Sequence, residues 1–182
     1  MTKNELKSTV EAILLTANGP VKIAALGEAL DDRDVTQEGI LEAVQAIKEN
    51  WDRPDSGLRL EKVADGWRCI TPPELDSYLR AFHGIAARQR LSQAALEVLA
   101  IVAHRQPVTL PEVNFLRGAN SASTVRTLLD RRLLRMAGRK KVVGKPFLYR
   151  TSKEFLLHFG LERPEDLPDP EELIKDESIS SE

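Results

Sequence analysis

Residues 94–109 read AALEVLAIVAHRQPVT and decide the fold of the second half of the chain. The run that ends at His104 is apolar on almost every side, which predicts a helix buried by several neighbours or by a partner. Pro107 is expected to end this helix, because proline lacks a backbone amide and biases the preceding residue away from the helical region. Thr109 and Glu112 have the spacing of a capping box and predict the start of a second helix.

The residues that follow predict a winged helix. The second helix is expected to end at Gly118, because glycine readily adopts the left-handed conformation after a helix. Ser121 or Ser123 can cap a third helix that runs to about Arg132. Its inward face would carry Val125, Leu128 and Leu129. Residues 133–137 and 147–151 predict two short strands, joined by a basic turn at 138–146.

The first half of the chain predicts the same order of elements. Thr2 and Glu5 have capping-box spacing, and Asp65-Gly66 separates two alternating runs, which is a hairpin signal. Gly19-Pro20-Val21 corresponds to Gln106-Pro107-Val108, 87 residues further on. The fold class predicted is therefore α+β and mostly helical, with two tandem winged-helix domains of three helices and a two-stranded wing each.

The predicted domains are 1–84 and 85–160, followed by a tail at 161–182. The tail is acidic and rich in proline, so it cannot bury enough apolar surface to fold alone. We expect it to be flexible unless residues such as Leu167, Leu173 and Ile174 dock on a neighbour.

Composition indicates an ordinary globular protein, with 42% hydrophobic residues among 182. The single cysteine, Cys69, excludes an intramolecular disulfide and suits a reducing compartment. No run of 18 apolar residues occurs, so a signal peptide or a membrane span is not expected. These features predict a cytoplasmic protein.

Charge is strongly segregated along the chain, although the net charge is only −2. Residues 88–150 contain 13 Lys and Arg against 3 Asp and Glu, a net +10, whereas 1–87 carry −5 and 151–182 carry −7. A basic block of this kind favours an anionic partner, either nucleic acid or an acidic protein segment. Alternatively, the protein's own acidic tail offsets the basic face.

Residues with catalytic chemistry form no recognisable constellation in the sequence. His83, His104 and His158 stand far apart without metal-ligand spacing, and Cys69 is expected to pack rather than react. A phosphate-binding Gly-Lys-Ser/Thr loop and a nucleophile elbow are both missing from the sequence. We therefore predict a protein that is not an enzyme and needs neither a metal nor a cofactor.

Two kinds of binding function remain. A DNA-binding transcription regulator would use the basic 88–150 region, with a third helix whose outward residues include two arginines but no Asn or Gln. That is a poor set for reading bases, although wing residues such as Lys141 could hold phosphates without reading sequence. A protein-binding adaptor would instead use surplus apolar surface on residues 94–103 and on the first helix.

Several segments resemble the family of segregation and condensation protein B. The resemblance is densest over about 70 residues and weaker in the first half. The matching residues are 95–109 (ALEVLAIVAHRQPVT), 117–121 (RGANS), 127–131 (TLLDR), 138–140 (GRK), 144–151 (GKPFLYRT) and 155–161 (FLLHFGL), with 11–14 (EAIL) and 66–68 (GWR) in the first half.

The resemblance implies a non-enzymatic accessory subunit for bacterial chromosome condensation and partition. Such a subunit would form a homodimer through the domain at 1–84 and bind a kleisin, segregation and condensation protein A (ScpA), through the domain at 85–160. ScpA would bridge the heads of the SMC ATPase, so this chain would be nucleoid-associated and would need no ATP site.

Candidate contact residues follow for both partners. Dimerisation candidates are Val10, Leu14 and Leu15, and the partner-binding candidates are Arg105, Arg117, Asn120, Arg139 and Tyr149. Each partner-binding candidate has an alternative role inside the fold: Asn120 as a turn residue, Arg105 on helix carbonyls and Tyr149 in the core. Nonspecific DNA contact is a further expectation of the basic block.

Overall fold

The chain forms two compact units, Met1–Gln89 and Arg90–Glu182, in a computed structural model that describes residues 1–30, 35–85 and 90–168. Residues 31–34, residues 86–89 and the part of the predicted tail from residue 169 onward lie outside the described residues. Each unit is a winged helix with its own hydrophobic core, so the predicted fold class is confirmed.

Unit 1 contains four α-helices and one β-hairpin in its described part. In chain order the elements are α1 (Lys3–Thr16), α2 (Ile23–Leu30), α3 (Gln37–Trp51), β1 (Arg59–Val63), β2 (Gly66–Ile70), a 3₁₀ turn (Pro73–Leu75) and α4 (Asp76–His83). The predicted capping box starts α1: the Glu5 amide donates to Thr2 Oγ1, and the Thr2 amide donates to Glu5 Oε2. Those two bonds satisfy backbone amides that a helix start otherwise leaves unpaired.

Apolar side chains of α1 and α3 face each other and form most of the unit 1 core. The buried residues of α1 are Leu6, Val10 and Leu14, and those of α3 are Ile40, Ala43, Val44, Ile47 and Trp51. Trp51 also donates its indole N–H to Glu11 Oε1 at 2.9 Å, which satisfies the polar atom of a buried ring.

The β1–β2 hairpin is joined to the start of α2 through Val21. The amide of Val21 donates to the Trp67 carbonyl at 2.8 Å, and the Trp67 amide donates back to the Val21 carbonyl at 2.9 Å. A Cβ on Gly66 would lie 3.0 Å from the Val21 carbonyl oxygen, so a larger residue would push this bridge apart. The two turn residues are Ala64 and Asp65, both at positive φ, so the turn lies one position earlier than the predicted Asp65-Gly66. Gly66 is instead the first residue of β2 and a packing contact.

Unit 2 repeats this order with one added strand. Its elements are α5 (Gln93–Arg105), β3 (Val108–Thr109), α6 (Leu110–Arg117), α7 (Ala122–Asp130), β4 (Leu134–Arg139), β5 (Phe147–Thr151), α8 (Lys153–Phe159) and a 3₁₀ turn (Pro164–Asp166). The strands form an antiparallel sheet in the order β3-β5-β4. The predicted wing had two strands; β3 is only two residues long and shows no alternation that could have predicted it.

Helix α5 forms the centre of the unit 2 core. Five of its residues are buried, namely Ala95, Val98, Leu99, Val102 and Ala103, and Ile101 packs against them. The surplus apolar surface expected on this helix is therefore mostly covered inside the unit, with Leu96 left exposed. The α6, α7 and β5 elements all pack against α5, which explains why its sequence is apolar on so many sides.

The start of α7 differs from the expected serine cap. Ser121 occupies the N-cap position, but its hydroxyl donates to the Ala119 carbonyl. The amide of Ala122 donates instead to Asn120 Oδ1 at 3.0 Å, and the Ser121 amide donates to Asn114 Oδ1 at 2.8 Å. The side chains of Asn114 and Asn120 therefore accept hydrogen bonds from the amides at the start of α7, a role that the sequence predicted for a serine hydroxyl.

Gln106 links the end of α5 to strand β5 through its side-chain hydrogen bonds. Its Oε1 accepts from both the amide and the hydroxyl of Thr151 at 2.9 Å, and its Nε2 donates to the Ala103 carbonyl at 3.1 Å. Thr151 is buried, so its amide has little access to water when this partner is removed.

Replacing Gln106 with alanine is therefore expected to destabilise the protein by about 1–3 kcal/mol, because a buried donor loses its acceptor. Urea unfolding followed by circular dichroism measures the change. Gln93→Ala, an exposed glutamine in the first turn of the same helix, is the control and should change the unfolding free energy by under about 0.5 kcal/mol. Equal effects of the two substitutions would contradict the role given to Gln106.

The described start of the tail is packed on unit 2. Leu161 and Leu167 pack against the unit 2 core, and the turn Pro164–Asp166 lies between them. Leu167 was one of the tail residues predicted to dock on a neighbour if the tail was not flexible. It packs on unit 2, the unit to which it belongs. Leu173 and Ile174 lie outside the described residues.

Candidate protein-interaction surface

Helix α6 presents an apolar outer face beside a groove. Val113 is buried and holds the helix on the core, whereas Phe115 is 86% exposed and Leu116 is 49% exposed. The groove next to them has a volume of about 360 Å³. Its lining residues are Arg105, Pro107, Val108, Glu112, Phe115 and Leu116. An exposed phenylalanine next to a concave surface, with one cation at its edge, has the composition of a peptide-docking site.

Glu112 holds the first turn of α6 in place and joins it to the wing. Its Oε2 accepts from the amide and the hydroxyl of Thr109, and its Oε1 accepts from Lys140 Nζ. The hydrogen bond from Lys140, together with those from Thr109, lowers the pKa of Glu112 to about 2. The predicted capping box is thus present. The contact with Lys140 is additional and could not be predicted from the spacing of Thr109 and Glu112.

The depressed pKa gives Glu112 a defined pH dependence. Because the folded-state pKa lies below the ordinary value of 4.5, the unfolded chain binds the proton more tightly. The stabilisation is therefore complete above pH 4.5 and is lost as the pH falls toward 2. Glu112→Gln is expected to cost under about 1 kcal/mol at neutral pH, because the side chain is partly exposed and solvent screens the ion pair.

Unfolding free energies of the protein and of Glu112→Gln, measured between pH 7 and pH 3, would check this window. The difference should shrink steadily below pH 4.5. Glu154→Gln, an exposed first-turn carboxylate of α8, serves as the control for generic charge effects. A difference that grows as the pH falls would contradict the assignment.

Three of the partner-binding candidates contact other parts of unit 2. Arg117 donates from Nε to Glu97 Oε2 at 2.9 Å and so joins α6 to α5. Asn120 accepts from the Ala122 amide, as its alternative role in the turn predicted. Tyr149 is buried in the core, opposite Val108 on the neighbouring strand.

The remaining two candidates lie at separate places. Arg139 stacks its guanidinium 3.8 Å from the centroid of the Phe147 ring and donates to the Lys145 carbonyl at 3.0 Å, so it shapes the wing. Arg105 is exposed at the groove beside α6. The structure therefore brings only Arg105 to the candidate surface, and partner binding by the other four stays a prediction.

Unit 1 has an exposed aromatic pair on α4. Tyr78 is 73% exposed and Phe82 is 83% exposed, and their spacing of four residues places them on one face of the helix. Gly84, at φ 62°, ends α4, and the Ile85 amide donates to the Arg80 carbonyl at 3.0 Å, which leaves the Ile85 side chain exposed next to the helix end. We call Tyr78, Phe82 and Ile85 the α4 face.

The dimerisation candidates of α1 are placed differently. Val10 and Leu14 are fully buried within unit 1, because residues four apart on α1 both turn toward α3. Their side chains are already covered by their own unit and offer no surface to a second copy. Leu15 alone is half exposed, and dimerisation through it stays a prediction.

Comparison with known proteins identifies the family. The family model for the segregation and condensation complex subunit ScpB matches residues 8–170. The chain belongs to the ScpB family. It is 42% identical over 164 residues to segregation and condensation protein B of Syntrophotalea carbinolica, an alignment that covers 90% of this chain and 81% of that protein.

Two further relatives extend the comparison. Segregation and condensation protein B of Desulforamulus reducens is 40% identical over 178 residues, which cover 97% of this chain and 96% of that protein. The crystal structure of ScpB from Mycobacterium tuberculosis shares 34% identity and a TM-score of 0.42, covering 88% of this chain and 98% of that chain. The match to the family model and the identities to the proteins of Syntrophotalea carbinolica and Desulforamulus reducens confirm the family resemblance noted in the sequence.

The exposed apolar residues of this ScpB-family chain were missed by sequence reasoning. In α6 the inward positions are Leu110, Val113 and Arg117, so Phe115 lies about 200° away from Val113 around the helix. The signal available in the sequence was an aromatic residue, Phe115, outside the positions of α6 that face the core. In α4 the signal was Tyr78 and Phe82 four residues apart on a short helix with no buried residue.

The residues at 1–30, 35–85 and 90–168 contain no group of three or more His, Cys, Asp and Glu side chains that could hold a metal ion. Within the same ranges, no helix combines the length and apolar character needed to cross a membrane. Cys69 is partly buried, and burial raises the pKa of its thiol, so little thiolate forms at neutral pH.

Proposed function

We propose that this chain is a non-enzymatic, homodimeric subunit of a bacterial condensation complex that binds the kleisin ScpA and, through it, an SMC ATPase. The observation that carries the proposal is the match of residues 8–170 to a family described as a complex subunit. The absence of a phosphate-binding loop from the sequence agrees with ATP hydrolysis by a partner. This role would place the protein in the cytoplasm, associated with the nucleoid.

We assign kleisin binding to unit 2 and its α6 groove. Phe115 contributes little to the core of its own unit, so burial of the ring by a partner costs no internal contact. Apolar burial is worth about 25 cal/mol per Å², and an aromatic ring supplies 150–250 Å² of it in round terms. Arg105 at the groove would pair with a carboxylate on the bound segment. This ion pair would set the direction in which the segment lies in the groove.

We assign dimerisation to unit 1 and its α4 face. Two exposed aromatic rings on one helical face supply the kind of apolar anchor found at the centre of stable interfaces. Leu15, by comparison, is one half-exposed leucine on a helix whose other large apolar residues turn inward. The two surfaces lie on different units, so each can be altered by substitution without changing the other.

Size-exclusion chromatography with light scattering tests the proposal. The purified full chain should have the mass of a dimer, and a mixture with the ScpA of the same organism should elute earlier as one peak. The same mixture with bovine serum albumin in place of ScpA should show two independent peaks. Independent elution of ScpA at micromolar concentrations would overturn the proposal.

A further inference from the structure

The β4–β5 wing of unit 2 carries cations that the fold does not use. Of its basic residues, Lys140 pairs with Glu112 and Arg139 stacks on Phe147. Four others have no ion-pair partner in the described part of the chain. We call these four residues, Arg135, Lys141, Lys145 and Arg150, the wing cations.

Arg135 and Arg150 are placed directly opposite each other. They are Cα partners in the antiparallel register of β4 and β5, so their side chains leave the same face of the sheet, and both are exposed. Like charges at this position destabilise a strand pair. The arrangement therefore costs stability in the free protein, and an anion bound between the two guanidiniums would remove that cost.

The wing tip extends the row of charge in a fixed shape. The Lys145 amide donates to the Val142 carbonyl at 2.9 Å, and Gly144 and Lys145 both adopt positive φ, which closes a tight turn. The Arg139 guanidinium braces this turn through the Lys145 carbonyl. From Arg150 to Phe147 strand β5 covers roughly 10 Å at 3.3–3.4 Å per residue, a length over which duplex DNA presents about six phosphate charges, and Lys145 lies in the turn before the strand.

The chemistry favours a regular polyanion that is contacted through its backbone. Neighbouring helix α7 offers Arg126, Thr127 and Asp130 on its exposed side, a set without the Asn and Gln amides that recognise adenine. Guanidinium groups hold phosphate oxygens in bidentate geometry and carry no sequence information by doing so.

We propose that the wing cations form a binding site for the sugar–phosphate backbone of double-stranded DNA, without sequence preference. This site is separate from the α6 groove and does not depend on ScpA. Its contribution to DNA binding comes mainly from the release of counterions, so binding weakens steeply with salt.

Fluorescence anisotropy with the full chain and two labelled 30-base-pair duplexes of unrelated sequence tests this site. For the variant Arg135→Gln/Arg150→Gln, the slope of log K against log salt should become shallower by about 2, because two phosphate contacts are lost. This difference in slope corresponds to roughly 30-fold weaker binding of the variant to both duplexes at 0.15 M salt. The melting temperature should not fall, since two opposed like charges are removed.

The control variant is Lys3→Gln/Lys22→Gln, which removes the same net charge from exposed positions of unit 1. It should leave the affinity within about twofold, whereas Lys141→Gln/Lys145→Gln should weaken binding as the arginine variant does. Equal losses in the control and the arginine variant would overturn the proposal. So would displacement of the duplex by polyglutamate at equal charge concentration, which would assign the site to an acidic protein segment.

Discussion

Replacing Phe115 with alanine is expected to weaken ScpA binding by roughly 30- to 1000-fold, which corresponds to about 2–4 kcal/mol at an interface hot spot. The ring is 86% exposed in the free chain and adjoins the α6 groove, so a docked segment would cover most of its area. The melting temperature should be unchanged, because Val113 rather than Phe115 holds α6 on the core. Isothermal titration calorimetry with ScpA measures the affinity.

Two further variants sharpen this result. Phe82→Ala removes an equally exposed ring from unit 1 and should leave the affinity for ScpA within about threefold, since the α4 face is assigned to the dimer. Arg105→Gln should weaken ScpA binding by a smaller factor that disappears at high salt, because it removes a charge at the rim. Unchanged affinity in Phe115→Ala would remove the groove from the proposed kleisin site.

Most of the fold was predictable from local chemistry. Pro107, Gly118 and the Thr109–Glu112 spacing mark helix boundaries through backbone geometry alone, and the structure has α5 ending at Arg105 and α6 between Leu110 and Arg117. The β3 strand and the Gln106 contacts could not be predicted in this way. Both depend on residues about 40 positions apart, Val108 with Tyr149 and Gln106 with Thr151, which meet only after the unit has folded.

The candidate surfaces were harder to predict, for a related reason. Polar residues near turns, such as Arg117 and Asn120, look available in a sequence, yet each is bonded within its own unit. Apolar residues such as Phe115 look like core residues until the inward direction of each helix is known. Which side of a helix faces inward is fixed by neighbouring elements, and a helix of eight residues has too few turns to reveal it.

Removing the α4 face is expected to convert the dimer into a monomer. Tyr78 and Phe82 together supply roughly 300–500 Å² of aromatic surface, about half of the 800 Å² that each partner of a standard interface buries. The double variant Tyr78→Ser/Phe82→Ser should raise the dimer dissociation constant by about 100-fold or more. Its unfolding transition should be little changed apart from the loss of dimer linkage, because α4 contains no buried residue.

Sedimentation velocity would measure this change. Protein concentrations from about 1 to about 100 µM would cover the dissociation constants of weak homodimers. Leu15→Ser is the comparison variant, because Leu15 is the exposed member of the α1 set. Dissociation by Leu15→Ser with no effect of the α4 variant would move the dimer contact to α1. Dissociation by the α4 variant with ScpA affinity retained would instead establish that the two units bind different partners, because the only groups altered lie on unit 1 while the kleisin groove on unit 2 stays intact.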